Sequence, residues 1–365
     1  AAALLAALAA GASAPTSPDP GPGWPYVGGD AGNMRYSPLA DIHAGNVGSL
    51  EVAWTYRHGD FYDPGLQRGE DARSGTAFEG SPILVDGRLV FSTPYGRVIA
   101  LDPATGRELW VYDPKVDPLR HYSNGYVTRG VAHWRDARAD AGAPCASRIL
   151  EATVDARLIA LDAATGAPCP SFGRGGTVNL HDGVERLREP EHYKMTSPPV
   201  VAGDVVVIGP SLIDMRANQP MGDVRAFDAR TGVLRWEFHV IPRAGEPGTE
   251  TWEHESWREG SGANPWAPLS VDVARGIVFV ATSTASPDYY GGRRPGDNLY
   301  ADSVLALEAE TGRLLWHRQL VHHDLWDYDL PAAPHLVRVR RGGRDVDAVA
   351  QLTKMGLVFV FERET

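Results

Sequence analysis

One recurring motif constrains the fold of this chain more than any other feature. Residues 98–110 read VIALDPATGRELW, residues 224–236 read VRAFDARTGVLRW, and residues 304–316 read VLALEAETGRLLW. A further copy, LIALDAATGAPCPSF from Leu158, lacks the tryptophan, and another, LVFVFERET, runs from Leu357 to the end of the sequence. The acidic positions Asp102, Asp162, Asp228, Glu308 and Glu362 lie 60, 66, 80 and 54 residues apart. Each copy reads as a short alternating β-branched strand, a D-x-x-T-G turn and a second strand carrying Trp. In the turn, Asp bonds local backbone and Gly is free to take a positive φ. Ahead of most copies stand paired strand runs around a tight turn, at 81–92, 199–208 and 269–280.

Four strands in a unit of roughly 60 residues is the arithmetic of a β-propeller blade. A Trp recurring in the last strand is placed to pack between neighbouring blades. The expected fold class is therefore all-β, a propeller of four-stranded blades with about five present; an all-β sandwich with fortuitous repeats is the alternative. Trp54 closes a partial unit ahead of the first full one. An open arc would expose strand edges, so residues 15–365 are expected to be an incomplete propeller domain lacking its C-terminal blades.

Composition narrows the function classes. Apolar residues make up 43% of the 365, enough for a packed core, while 40 Gly and 28 Pro favour turns over long helices. The net charge of −11 leaves no basic footprint for nucleic acid. Residues 1–14, AAALLAALAAGASA, read as part of a secretory signal peptide and are too short to span a bilayer. Cys145 and Cys169 belong to no CxxC or CxxCH motif, so neither a c-type haem nor a Cys-rich zinc site is indicated. In an exported protein they could pair, or remain as two buried thiols. There are three lysines, Lys115, Lys194 and Lys354, against 32 arginines, so each Lys raises the question of why it is not Arg.

Two further stretches carry a family resemblance. The opening WPYVGGDAGNMRYSPLADIHAGNVGSLEVAW (24–54) and the segment HHDLWDYDLPA (322–332), together with the repeats, resemble the pyrroloquinoline quinone (PQQ)-dependent dehydrogenases. The resemblance runs from about Trp24 to Thr365 and is nearest to the membrane-type glucose, polyol and quinate branch. It implies an eight-bladed propeller with the quinone near its axis. It further implies a periplasmic enzyme able to associate with the membrane, which oxidises a sugar or polyol hydroxyl and passes electrons to ubiquinone or a cytochrome.

Oxidising an alcohol to a carbonyl needs a base for the hydroxyl proton, an acceptor for the hydride, and a positive group to polarise that acceptor. By resemblance, Asp327 in HHDLWDYDLPA is the base and also approaches the metal, and Lys354 in QLTKMGLVFVF stands against the quinone oxygens. Trp266 in NPWAPLSVD matches the indole on which the flat cofactor stacks. Glu79, Arg129, Thr196 and Ser211 match positions that bond its carboxylates and ring; Arg suits a carboxylate because it binds bidentately. Asp214 in IGPSLID matches an acidic ligand of Ca²⁺ or Mg²⁺.

Three departures bear on substrate. Where alcohol-oxidising members carry a metal-binding Asn, this chain has Thr284-Ala285-Ser286-Pro287, with hydroxyls and no Asn, which fits the glucose-type branch and leaves the cation's ligand set open. The adjacent-cysteine disulfide of methanol-type enzymes is absent, since Gly125-Tyr126-Val127-Thr128 occupies that region. Tyr126 stands about where glucose-type members have a His near the cofactor. Cys145 and Cys169 fall where glucose-type relatives also carry cysteines, which implies a structural disulfide. Two rival readings remain: an alcohol dehydrogenase of the methanol or lanthanide type, for which Asp329 is a weak pointer, and a non-catalytic propeller acting as a binding module.

Overall fold

The structure, a computed structural model, describes residues 23–63, 74–140 and 142–364; the expected signal segment 1–14 lies outside them. Blade 1 comprises Ile83–Val85, Arg88–Ser92, Val98–Leu101 and Glu108–Tyr112, blade 2 Ala132–Arg135, Ser147–Ala152, Arg157–Asp162 and Thr177–Asn179. Blade 3 comprises Val200–Ala202, Val205–Ile208, Val224–Asp228 and Leu234–Phe238, blade 4 Ser270–Asp272, Ile277–Ala281, Ser303–Glu308 and Leu314–Gln319. Each is an antiparallel meander of four strands in sequence order. A fifth sheet has three strands, His335–Arg341, Arg344–Leu352 and Val358–Glu362. The first strands of blades 2 to 5 contact one another in turn, so they are the innermost.

The hydrophobic cores lie between blades. In Val205–Ile208, Val205 and Val207 join a cluster with Val278, Val280 and Leu305 of blade 4, whereas Val206 and Ile208 face Leu150 and Leu158 of blade 2. Side chains alternate across a strand, so a strand buried on both faces reads as a continuous apolar run. That is why VVVI and IVFVA show no polar alternation.

The recurring tryptophans dock between blades, and the turn glycines receive them. Trp54, Trp110 and Trp236 lie against Gly106, Gly166 and Gly312 of the following repeat, where a Cβ would stand 2.5 Å from the indole. Their indole N–H groups donate to Pro103 O (3.1 Å), Ala163 O (3.3 Å) and Ala309 O (2.9 Å). Trp316 repeats the bond to Arg363 O at 2.8 Å. Each in-strand Trp pairs across the hairpin with an alanine, Ala100, Ala226 or Ala306, which leaves room for the ring. In blade 2, which lacks the Trp, Val178 and Phe172 cover Gly232 instead. The Gly of each turn is thus fixed by close approach as well as by its positive φ.

Cys145 and Cys169 form a disulfide, with Cα atoms 5.8 Å apart. The opening segment ties distant blades together: the Asn33 amide donates to Leu269 O and Ser270 Oγ, and Gly32 O accepts from Leu336 N. Tyr26, Val27, Asp30, Ala31 and Asn33 of that segment line, with residues of blades 2, 3 and 4, a small cavity of about 420 Å³.

Candidate active site

At the end of the propeller where the first strands begin and the second strands finish, a cleft of about 730 Å³ opens to solvent. That size suits a small organic ligand. Two-residue ladders build its rim, pairing Tyr193–Lys194 with Ser211–Leu212 and Ser261–Gly262 with Ala285–Ser286. Of the residues singled out in the sequence, Arg129, Thr196, Ser211, Asp214, Trp266, Asp327, Asp329 and Lys354 all line it. They come from loops spread over more than 200 residues, and the blade spacing brings them together.

Asp327 and Lys354 are paired: Lys354 Nζ donates to Asp327 Oδ1 at 2.8 Å and stands 3.4 Å from Asp329 Oδ2. Burial pulls the ammonium down, but the bond to Asp327 and the two carboxylate charges outweigh it and hold it above its usual value. The other Asp327 oxygen accepts from the Tyr289 hydroxyl at 3.3 Å. Asp324 plays a different part in the same segment. Its carboxylate accepts from Trp326 N (2.9 Å), Tyr328 N (2.6 Å) and the Thr284 hydroxyl (2.5 Å), so it shapes the loop that presents Asp327.

Trp266 is locked in orientation. Its indole N–H donates to Asp329 Oδ2 at 2.9 Å, and Asp329 Oδ1 accepts from Thr284 N at 2.7 Å. Both Asp329 oxygens are therefore engaged. The Arg129 guanidinium lies over the Trp266 ring, 5.3 Å from its centroid, and is held by Glu79 Oε2 (3.0 Å) and Thr196 O (3.2 Å). Glu79 itself is half exposed and reaches the cleft only through Arg129.

Acidic groups crowd the rest of the cleft. Burial pushes the Asp214 carboxyl up to about 6; Lys194 opposes the rise, and the Asp329 and Asp327 charges add to it. Asp288 is pushed up to about 8 by burial and then by Asp214, Asp329 and Asp327.

Sequence reasoning missed several neighbours. Asn264, two residues before Trp266, lines the cleft and bonds Pro210 O at 3.0 Å; the Asn-Pro turn beside a singled-out Trp was its signal. Asp288 follows the Thr-Ala-Ser-Pro stretch by one residue. Lys194 is buried behind Asp214, where its Nζ donates to Ser123 Oγ at 2.9 Å and burial pulls it down to about 8. One expectation needs correction. Tyr126 does not face the cleft: it is fully buried, bonds Asp117 O and Arg120 O at 2.7 Å each, and packs edge-on against Tyr95 and Tyr122. Asn124 and Val127 line the cleft in its place. His323 likewise points away, bonding Gly296 O at 2.8 Å, and His322 stands 3.7 Å from Asp297.

The model of a family described as PQQ, "glucose/ethanol/alcohol dehydrogenase, beta-propeller domain", matches residues 24–365. The chain belongs to the PQQ-dependent dehydrogenase family. The quinoprotein glucose dehydrogenase A of Acinetobacter calcoaceticus is 36% identical over 354 residues, covering 93% of this chain and 43% of that protein. The quinate/shikimate dehydrogenase (quinone) of Acinetobacter baylyi is 35% identical over 360 residues, covering 94% and 43%. The chain spans less than half the length of these curated relatives. Among solved structures, the quinohemoprotein alcohol dehydrogenase of Comamonas testosteroni superposes with a TM-score of 0.75 at 28% identity, over 94% of this chain and 48% of that one.

The cleft fits the family's cofactor on its own chemistry. A flat tricyclic tricarboxylate needs a fixed aromatic face and several donors, and Trp266 supplies the first while Arg129, Ser211 and Lys354 supply the second. A surplus of carboxylate over ammonium suits a divalent cation as well.

Proposed function

We propose that this chain forms the cofactor-holding part of a quinoprotein dehydrogenase that oxidises a sugar or polyol hydroxyl. The observation that carries the reading is the Asp327–Lys354 pair at 2.8 Å on the same cleft as the orientation-locked Trp266. PQQ, when bound, supplies the electrophilic carbon that accepts the hydride and relays the electrons to ubiquinone or a cytochrome.

The chain's own residues do the rest. Trp266 offers a flat face, and Arg129, Thr196 and Ser211 bind carboxylate and ring oxygens; Glu79 holds Arg129 in place. Lys354 presents a compact ammonium, a point donor rather than the fork of Arg, towards a developing negative charge. Asp327 takes the substrate hydroxyl proton. Its Oδ1 is engaged by Lys354, so the proton goes to Oδ2, where the long Tyr289 bond is readily exchanged for a substrate hydroxyl. A divalent cation, Ca²⁺ or Mg²⁺, belongs beside Asp214 and Asp327. The Cys145–Cys169 disulfide supports an oxidising compartment, here the periplasm. Among the described residues no helix is long and apolar enough to cross a membrane.

The test is dye-linked activity of the full-length protein with and without added PQQ, on glucose, quinate, glycerol and ethanol side by side. Activity that requires PQQ and favours sugar or polyol over ethanol is expected. Activity independent of PQQ rejects the reading, and a preference for ethanol moves the protein to the alcohol-oxidising branch.

A further inference from the structure

Tyr289 holds an unusual position at the mouth of the cleft. The residue is 59% exposed, and among the described residues its hydroxyl makes a single hydrogen bond, the one to Asp327 Oδ2. At 3.3 Å that bond is long; hydroxyl donors prefer about 2.7–2.8 Å. Exposure of one aromatic residue means little by itself. What matters here is how firmly its place is set. Tyr289 follows Asp288 on a loop that is fastened to the loop carrying Asp327. The buried Arg294 guanidinium donates from one nitrogen to Pro287 O at 3.1 Å and to Asp324 O at 2.5 Å, and from the other to Asn298 Oδ1 at 3.0 Å. Tyr290 N closes a turn on Pro287 O at 3.2 Å. Gly291 is pressed so closely against the His323 ring and Leu325 that a Cβ there would collide with both. The phenol and the carboxylate therefore stand on two loops locked to each other, as a two-point contact requires.

This arrangement has room for a substrate. Asp327 Oδ1 is taken by Lys354, so a hydroxyl that gives up its proton approaches Oδ2. In doing so it displaces the Tyr289 hydroxyl, and a phenol O–H is left beside the bound oxygen in need of an acceptor. A second hydroxyl on the neighbouring carbon is such an acceptor. Vicinal oxygens lie within hydrogen-bond reach of each other, and so do Asp327 Oδ2 and the phenol oxygen, at 3.3 Å. The four oxygens then close a ring, the reacting hydroxyl donating to Oδ2 and the phenol donating to its neighbour. A monohydric alcohol fills only half of it. A site built to bond a hydroxyl discriminates against the analogue that lacks one.

We propose that Tyr289 selects vicinal diols, its hydroxyl binding the substrate hydroxyl next to the one that Asp327 deprotonates. Glucose, quinate and glycerol all carry such a pair, and ethanol does not. The inference rests on the dehydrogenase reading above and names the feature of the substrate that the site recognises. Tyr289 keeps its own proton throughout; its part is to position and to choose.

The test uses two ring isomers and the full-length holoprotein. The hydroxyls of cis-cyclohexane-1,2-diol can bridge the two groups, and those of trans-cyclohexane-1,4-diol cannot. Wild type should favour the 1,2-isomer in kcat/KM by about tenfold or more, chiefly through KM, and Tyr289→Phe, which keeps the ring and removes the donor, should bring the ratio to within about threefold of one. Loss of a merely structural contact would slow both isomers alike and leave the ratio unchanged. Saturation-transfer NMR on the PQQ-free protein reads binding without turnover. Transfer to the 1,2-isomer should exceed transfer to the 1,4-isomer in wild type, and the two should be equal in Tyr289→Phe. A wild-type ratio near one, or a ratio that Tyr289→Phe leaves unchanged, overturns the proposal in either assay. Wild type that binds the 1,2-isomer selectively but oxidises neither counts against the dehydrogenase reading and leaves the role of Tyr289 standing.

Discussion

Gly312 offers a direct measure of what tryptophan docking contributes. It takes φ +73°, and a Cβ there would lie 2.5 Å from Cε3 and 2.6 Å from Cδ2 of Trp236. Gly276, in the same blade, has a similar φ of +64° and nothing within 4 Å of its would-be Cβ. Changing each to Ala imposes the same left-handed backbone cost, about 1–2 kcal/mol. At Gly312 the indole must also shift by close to an ångström. That overpacks the interface between blades 3 and 4, at about 1–3 kcal/mol. It also breaks the Trp236–Ala309 hydrogen bond, worth about 1 kcal/mol. Gly312→Ala should therefore cost about 2–4 kcal/mol more than Gly276→Ala. Urea unfolding of the two variants against wild type, followed by tryptophan fluorescence, reads the difference. Equal losses, within about 1 kcal/mol, would mean that the indole does not rest on the turn and that the docking argument is mistaken.

Other outcomes follow from the site and the core. Lys354→Met should lower kcat by about 10²–10³ with a smaller change in KM, while Lys354→Arg, keeping charge but not point geometry, should fall between; steady-state kinetics of the full-length holoprotein decides. His133 is partly buried and held down to about 4, by desolvation first, against an Asp86 charge that opposes it. The unfolded imidazole gains a proton below its ordinary value of 6.5, so this contribution to stability is complete above that pH and is lost as pH falls towards 4. The loss approaches about 3 kcal/mol, and His133→Gln should flatten the slope in urea unfolding between pH 7.5 and pH 4.5.

The fold was legible because its signal is repeated. The D-x-x-T-G turns mark blades 1 to 4 and a tryptophan marks three of those four, and the doubly buried strands VVVI and IVFVA follow from inter-blade packing. The turn glycines were read only as a backbone requirement; that an indole from the preceding repeat rests on Gly106, Gly166 and Gly312 is a contact between units, invisible within one. Much of the site was legible through HHDLWDYDLPA, QLTKMG and NPWAP. Asp288 and Asn264 were not, and Lys194 stood out only as a scarce lysine, because their importance lies in what surrounds them. A lone Asp after Ser-Pro looks like a turn carboxylate until its burial on the cleft is seen. Tyr126 was misplaced for a related reason: adjacent strand residues point to opposite faces, so Val127 faces the cleft and Tyr126 the core.

The account rests on the cleft receiving a flat, tricarboxylated quinone against Trp266 between Arg129 and Lys354. The most direct measurement is equilibrium binding of PQQ to full-length apoprotein by dialysis, with quenching of tryptophan fluorescence as a second readout. One equivalent should bind to wild type, with affinity reduced at least tenfold in Trp266→Ala and in Arg129→Gln. No binding to wild type, or undiminished binding to both variants, would contradict it.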